Sequence, residues 1–460
     1  MKIAIIGTGY VGLVAAVCFA DWGHEVVCVG RNGEKIARLR EGLAPIFEPG
    51  LEAAIVRNLT SGRLSFTLDT AEAVASAEAA FIAVGTPGWE NSREANLTSV
   101  YAAARQIAEA MTGSLVVVTK STVPVGTSDA VERIIRDIRP ELKSAVVSNP
   151  EFLREGAAIG DFLRPDRVVI GTKEAWAEDV LRRIYQPLQQ ASVPIVVTRR
   201  NTAELIKYAS NAFLATKIGF INEMADLCEQ VGADVTELAL GVGLDHRIGK
   251  EFLSASPGYG GSCFPKDTDA LLHTAHEYGV PMRIVESAVA VNDARKRRMA
   301  TKIIKAVGGS VDRLTIAVLG LTFKPDTDDM RDAPSVAIIR DLQNAGARIS
   351  AFDPQGTENA KQCLEGVRFW SDPYDCARDA DAVVVMTAWD VVKSLDLDRL
   401  RKVMRSPVMV DLHNIYVPEA VQRHGFRLVG VGRPDQLTSI TRPNAYSVPE
   451  PQFGAVSAKS

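Results

Sequence analysis

The sequence predicts an α/β protein built as two Rossmann-like doubly wound domains joined by a central helical region with a long connecting helix. Three observations carry this. Residues 2–6 form a strand-like run that enters a glycine-punctuated turn and a helix-like run, and further β-like runs alternate with helical stretches to about residue 197. Residues 201–231 are helix formers with one glycine and no proline, far longer than the mean helix of ~11–12 residues. Residues 314–320, LTIAVLG, then echo residues 2–7, KIAIIG, and open a second α/β run. A chain of 460 residues exceeds one hydrophobic core, and the expected division is 1–198, 199–306, 307–434 and a tail, 435–460.

The elements follow in order. Residues 2–6 read as a buried strand, Gly7-Thr8-Gly9-Tyr10-Val11-Gly12 as a turn, 13–22 as a helix ended by Gly23, and 25–29 as the next strand. Apolar runs at 79–84, 115–119, 145–148 and 167–170, each bounded by Gly, Pro or Asn, and one at 194–197 supply the remaining strands of a mostly parallel sheet. Helical sequence continues to about residue 306, interrupted by the glycine-rich stretch 256–267. A long exposed helix there suits a connector and a dimer seam, symmetric dimers being the commonest oligomers. The second half has strands at 314–320, 348–352, 382–386 and 408–410, with a helix opening near Pro334. The last 26 residues are short of large apolar side chains and predict a flexible tail.

Composition narrows the function classes. Hydrophobic residues are 47% and charged residues 23%, with a mean hydropathy of +0.04, which fits neither a disordered chain nor a membrane bundle. A formal net charge of −4 provides no general field for nucleic acid or anionic lipid, so small anions must be bound locally. Six cysteines are scattered without a CxxC pair or a His cluster, which excludes a disulfide framework and a zinc site. The basic start and apolar run to Ala20 imitate a secretory signal, but Gly7, Gly9 and Gly12 are spaced for a strand, a turn and a helix. A cytosolic enzyme is the expectation.

The GxGxxG of residues 7–12 follows a strand and opens a helix, the context in which backbone can approach a pyrophosphate at a helix N-terminus. The second strand should end in an acid for the adenosine ribose. It ends instead Val29-Gly30-Arg31-Asn32, where a cofactor 2′-phosphate would meet a cation. The stretch 258–267 sets Cys263 among glycines that let a substrate approach its sulfur, with Lys266 to favour the thiolate and Asp267 beside it. The bland alternative is a buried structural cysteine. Lys207 and Asn211 project from one face of the long helix, and the pair alone reads equally as a solvated stripe. Residues 120–126 and 149–156 put polar groups beyond the carboxyl ends of strands, where doubly wound folds bind ligands.

These segments together resemble the UDP-glucose 6-dehydrogenase family of nucleotide-sugar dehydrogenases, from residue 1 to about 434. The resemblance rests on GTGYVG, FIAVGTP, KSTVPVGT, NPEFLREG, PDRVVIG, the Lys207/Asn211 helix, GLDHRIGKEFL, PGYGGSCFPKD and GLTFKPDTDDMRDAPS. It implies a dinucleotide-binding first domain, a central dimerisation region and a nucleotide-sugar-binding second domain. It also implies a four-electron oxidation of UDP-glucose to UDP-glucuronate by two NAD molecules in succession, supplying polysaccharide or glycoconjugate synthesis in the cytoplasm. Cys263 would trap an intermediate aldehyde as a thiohemiacetal, later oxidised to a thioester and hydrolysed. In the family's pattern Lys207 and Asn211 stabilise oxyanion charge, Asp267 and Thr122 hold a water for proton transfer, and Glu151 is the base of hydrolysis.

The same resemblance places Gly7, Gly9, Tyr10, Val11, Gly12, Gly30, Arg31, Lys35, Thr86, Thr122, Glu155, Lys266 and Arg331 at the cofactor. It places Glu151, Phe152, Leu153, Arg154, Lys207, Asn211, Phe252, Leu253, Ser254, Ala255, Ser256, Gly260 and Lys324 at the nucleotide sugar, with Lys324 at the diphosphate. Arg247 would reach the substrate of a neighbouring subunit of a homodimer. Two departures stand out: Gly30 replaces the family's usual Asp, which opens NADP as a cofactor, and His413 replaces the usual Arg, which points to a weakened or pH-dependent contact. Competing readings are a dehydrogenase of a UDP-N-acetylhexosamine or GDP-mannose, a two-electron β-hydroxyacid dehydrogenase, and a catalytically silent nucleotide-sugar sensor.

Overall fold

The computed structural model describes residues 1–89 and 94–434. The expected flexible tail, 435–460, lies outside the described residues. The first sheet has eight strands: β1 (Lys2–Ile6), β2 (Glu25–Val29), β3 (Leu64–Thr67), β4 (Ala79–Ile82), β5 (Leu115–Thr119), β6 (Ser144–Ser148), β7 (Val168–Gly171) and β8 (Ile195–Thr198). Their order is β3-β2-β1-β4-β5-β6-β7-β8. All neighbours run parallel except β6 and β7, which meet antiparallel where Ser148 faces Gly171. The order reverses at β1, and the crevice beyond the carboxyl ends of β1 and β4 is where such a sheet accepts a ligand.

The helix after β1 spans Tyr10–Asp21, so the end of the glycine turn is already helical. Residues 12–20 on it are all buried, because the sheet lies on one side and the helices Leu51–Thr60 and Ala158–Leu163 on the other. A helix covered all round is hydrophobic all round, which is why this segment imitates a signal sequence.

The second sheet comprises β9 (Thr315–Leu319), β10 (Arg348–Phe352), β11 (Val367–Trp370), β12 (Ala382–Val385), β13 (Val408–Asp411) and β14 (Arg427–Gly430). It is wholly parallel in the order β11-β10-β9-β12-β13-β14, repeating the winding of the first six strands. Three strands escape the sequence reading: β3, β11 and β14. Each is the terminal strand of its sheet. An edge strand is wetted along one side, so β11 has no fully buried residue and its apolar run is weak.

Between the sheets, β8 passes through Arg199 directly into the helix Arg200–Val231, about 48 Å long at 1.5 Å per residue. Two further helices, Phe264–Glu277 and Arg283–Ala306, pack along it. The buried positions of the long helix include Glu204, Lys207, Asn211 and Asn222, an unusual set of polar groups for an interior face. Among the described residues no helix is long and apolar enough to cross a membrane.

Candidate active site

Cys263 ends the glycine-rich loop and is the N-cap residue of the helix Phe264–Glu277. Asp267 lies one turn further on, its N–H donating to the Cys263 carbonyl at 2.8 Å, so both side chains share a face. Two of the loop's glycines are there for packing. A Cβ at Gly260 would stand 2.3 Å from the Asp332 carbonyl, and one at Gly261 (φ 80°) 2.7 Å from the Phe323 ring. The loop is thus pressed against residues 323–332 of the second half.

The long helix crosses this loop with the Lys207 face. Lys207 and Asn211 are 3% and 6% exposed, which removes the solvated-stripe reading. Asn211 Nδ2 donates to Asp267 Oδ2 at 2.6 Å, and Lys207 Nζ meets Glu151 Oε1 at 3.1 Å. Glu151 is fixed by the N–H of Leu153, 2.5 Å from its other oxygen. Cys263, Lys207, Asn211 and Glu151 open onto one cavity of about 880 Å³, with Phe152, Arg154 and Lys324 further along its wall.

Burial pushes the Cys263 thiol up to about 11, Lys207 opposes this, and Glu151 and Asp267 add to it. Lys207 is the cation that opposes the burial of the thiol. The sequence reading assigned that charge to Lys266, whose Nζ is instead bound to Asp267 Oδ1 at 2.5 Å. Burial works against the Lys207 ammonium, but Glu151, Cys263 and Asp267 outweigh it and hold the proton more firmly than usual. The site therefore sets a protonated lysine beside a neutral thiol.

Glu155 joins three parts of the chain. It accepts from Ser262 Oγ at 2.8 Å and from Thr327 Oγ1 at 3.1 Å, and Arg331 stands 3.6 Å away. Ser262 Oγ is 3.5 Å from Cys263 Sγ. Burial, with Asp329 adding to it, pushes the Glu155 carboxyl up to about 7. Lys324, also driven down by burial, has Glu155 as its largest opposing charge.

On the first sheet, a Cβ at Gly7 would stand 2.4 Å from the Ala83 carbonyl and one at Gly12 2.0 Å from the Gly7 carbonyl, so both glycines serve close packing. Gly9 is different: nothing lies within 4 Å of its would-be Cβ, and as N-cap it leaves the first helical N–H groups uncapped. That open cradle fits a pyrophosphate. Val11 is half-buried beside it. Thr86 Oγ1 donates to the Thr122 carbonyl at 2.8 Å, tying two of the expected cofactor segments together. At Gly30 a Cβ would fall 2.7 Å from Ile36 Cδ1, so the isoleucine occupies the room an acid would need. Arg31 is exposed, and the partly buried Lys35 has its ammonium driven down by burial.

Some expected residues stand apart from the cavity. The Arg247 side chain is 78% exposed and pairs with Asp245 of its own loop. Leu253 and Ala255 are buried, and the Ser256 backbone is bonded to Asn222 and Arg295, with Ser254 between them, while Phe252 does line the cavity. His413 faces inward, Nε2 2.9 Å from the Met386 carbonyl, and burial pushes its imidazole down to about 4. It pins the ends of β12 and β13 as a neutral ring.

Sequence reasoning missed Glu48 and Glu204. Glu48 is 6% exposed and accepts from the N–H groups of Gly156 (2.6 Å) and Ala158 (2.8 Å); the Tyr10 hydroxyl is bonded to the same carboxylate. It thereby joins the Gly7–Gly12 turn to the loop of Glu151 and Glu155. Glu204 accepts from the N–H groups of Gly126 (2.7 Å) and Ser128 (2.8 Å), tying the Thr122 segment to the Lys207 helix. Neither glutamate sits in a glycine-rich or strand-end motif, so nothing local marks it.

Three family models match the chain in order: the UDP-glucose/GDP-mannose dehydrogenase family's NAD binding domain over residues 1–189, its central domain over 201–294 and its UDP binding domain over 317–418. The UDP-glucose 6-dehydrogenase of Rhizobium meliloti is 57% identical over 437 residues, 95% of this chain and 100% of the relative. The UDP-glucose 6-dehydrogenase TuaD of Bacillus subtilis is 45% identical over 94% of this chain and 93% of its own length. Among solved structures, a UDP-glucose dehydrogenase from the hyperthermophilic archaeon Pyrobaculum islandicum superposes with a TM-score of 0.86 at 40% identity, covering 94% of this chain and 98% of that one.

Proposed function

The chain belongs to the UDP-glucose/GDP-mannose dehydrogenase family, and on that premise we propose that it oxidises UDP-glucose at C6 to UDP-glucuronate. The observation that carries this is the convergence of Lys207, Asn211 and Glu151 on Cys263 in one cavity, with Asp267 held behind them. A two-electron alcohol dehydrogenase has no use for that thiol. Nicotinamide, when bound, accepts the hydride in each of the two oxidations. Lys207 and Asn211 donate to the oxygen on C6 as it gains negative charge. Asp267 and Thr122 hold the water that takes the alcohol proton. Cys263 Sγ adds to the aldehyde carbon as the carbonyl π bond opens, and the thiol proton passes to the former carbonyl oxygen, forming a thiohemiacetal. Loss of the second hydride leaves a thioester on the same sulfur. Glu151 takes a proton from water, whose hydroxyl replaces the sulfur and releases the acid.

The cofactor is NAD, with discrimination against NADP weakened by Gly30 and Arg31. No carboxylate repels a 2′-phosphate at the end of β2, and Arg31 and Lys35 supply positive charge. On this reading Phe152, Leu153 and Arg154 bind the sugar nucleotide through the loop after β6, and Lys324 meets the diphosphate. The working units are 1–198, 199–306 and 307–434, in a cytosolic homodimer. Phe213, Phe220 and Leu227 recur every seven residues on the long helix and are 68%, 49% and 51% exposed, a stripe suited to the same stripe on a second copy. Arg247, exposed on the central region, is then available to a partner's substrate.

Product analysis tests the reading. UDP-glucose should yield UDP-glucuronate with two reduced cofactors per sugar, outpacing GDP-mannose and UDP-N-acetylglucosamine, and Cys263→Ser should make no acid. Absence of UDP-glucose turnover, or one reduced cofactor per sugar, would defeat it.

A further inference from the structure

Lys120 directly follows β5 and carries an amine that the steps above leave unused. It is 4% exposed. Its Nζ donates to the carbonyl oxygen of Asn149 at 3.4 Å and to its side-chain oxygen at 3.2 Å. Asn149 cannot swing away: the same Oδ1 accepts from the Tyr185 hydroxyl at 2.6 Å, and Nδ2 donates to the Val169 carbonyl at 2.8 Å. The rings of Phe162 and Tyr185 stand 5.7 Å and 6.0 Å from Nζ. These close contacts are neutral amide oxygens and aromatic faces, an expensive setting for a buried ammonium, and a methionine would fill the space without that penalty.

What the position offers is the cavity. Lys120 lines the same space as Glu151, Lys207 and Cys263. The groups that face it are Glu151 on the loop after β6, Lys207 on the long helix and Tyr185 at the end of the helix Ala175–Ile184, whose hydroxyl burial keeps neutral. Burial pushes the Lys120 ammonium down, Glu151 opposes this and Lys207 adds to it, leaving it at about 8. Lys207 meanwhile is shared among Glu151, Cys263 and Asp267. An oxygen developing charge on the sugar would compete with Glu151 for that ammonium, weakening its hold on the carboxylate.

We propose that Lys120 is a positioning residue of the oxidation, the second cation of Glu151: when Lys207 turns its charge to the substrate, Lys120 keeps the Glu151 carboxylate held in place and aimed at the hydrolytic water. The proposal rests on the reading of the enzyme as a UDP-glucose dehydrogenase acting through a thioester. An ammonium lost above pH ~8 acts only below it, so turnover falls as pH rises through that value.

The test is kcat and KM for UDP-glucose across pH ~6–10 in the wild type, Lys120→Met and Lys120→Arg, with folding followed by thermal unfolding. Lys120→Met should lower kcat about tenfold below pH ~8, leave KM within about twofold, and abolish the alkaline fall. Lys120→Arg should keep most of kcat and carry the fall to higher pH, which a purely structural role would not do. A Lys120→Met enzyme with the wild-type kcat and the same alkaline fall overturns the proposal. If the methionine variant does not fold, an unmoved alkaline fall in Lys120→Arg overturns it equally. A wild-type enzyme that leaves UDP-glucose untouched defeats the functional reading instead.

Discussion

At Cys263 and Glu155, burial works in one direction on both groups, raising the thiol to about 11 and the carboxyl to about 7. A cysteine that rests as a thiol is protected from idle oxidation, and on the proposed mechanism it depends on Lys207 at the moment of attack. Glu155 carries a stability consequence whose sign follows from its raised proton affinity. The unfolded carboxyl ionises near 4.5, so between there and about 7 the folded chain binds more protons, and stability falls as pH rises through that window. Glu155→Gln should therefore raise the melting temperature at pH ~8 by the equivalent of about 2 kcal/mol while lowering kcat/KM. An unchanged melting temperature there would show that Ser262, Thr327 and Arg331 already offset the buried charge. The sequence shows neither shift, since both come chiefly from burial, which is set by how the chain packs.

At the scale of elements, the proposed cofactor choice turns on the segment from β2 through the helix Gly33–Arg40. Asn32 caps that helix by accepting from the Lys35 N–H at 2.9 Å, which leaves Arg31 outside it and exposed. Arg31→Ala should lower kcat/KM for NADP about tenfold while leaving NAD within about twofold, because only the 2′-phosphate meets that charge. A wild type with strict NAD preference would sink this reading of Gly30 and Arg31. Elsewhere the central strands β1, β4, β5, β9 and β12 were legible as apolar runs because both their faces are covered. The edge strands β3, β11 and β14 were not, since an edge needs fewer apolar residues. The long helix was legible from its length and composition, but its interior polar face was not, because Lys207 and Asn211 at i, i+4 look the same facing water or a cavity.

For the whole molecule, the two sheets are held at a fixed spacing by a helix about 48 Å long, and the site is completed only where loops of the second half press on the cysteine loop. The exposed stripe of Phe213, Phe220 and Leu227 extends this argument to a second copy. Phe220→Asp should convert a dimer to a monomer in light scattering, with loss of turnover if the partner's arginine completes the substrate site; an unchanged dimer would place the seam elsewhere. The sequence by itself determined the doubly wound halves, the long helix, the glycine turn at the first helix and the glycine-rich loop that carries Cys263. These are local patterns, written in spacing and composition. Only the tertiary structure decided that Lys207 rather than Lys266 is the cation facing the thiol, that Glu48 and Glu204 tie the ligand loops together, and that Lys120 shares the cavity with Glu151. Each is a contact between side chains far apart in the chain, and such contacts are set by how sheets and helices pack, which no local pattern records.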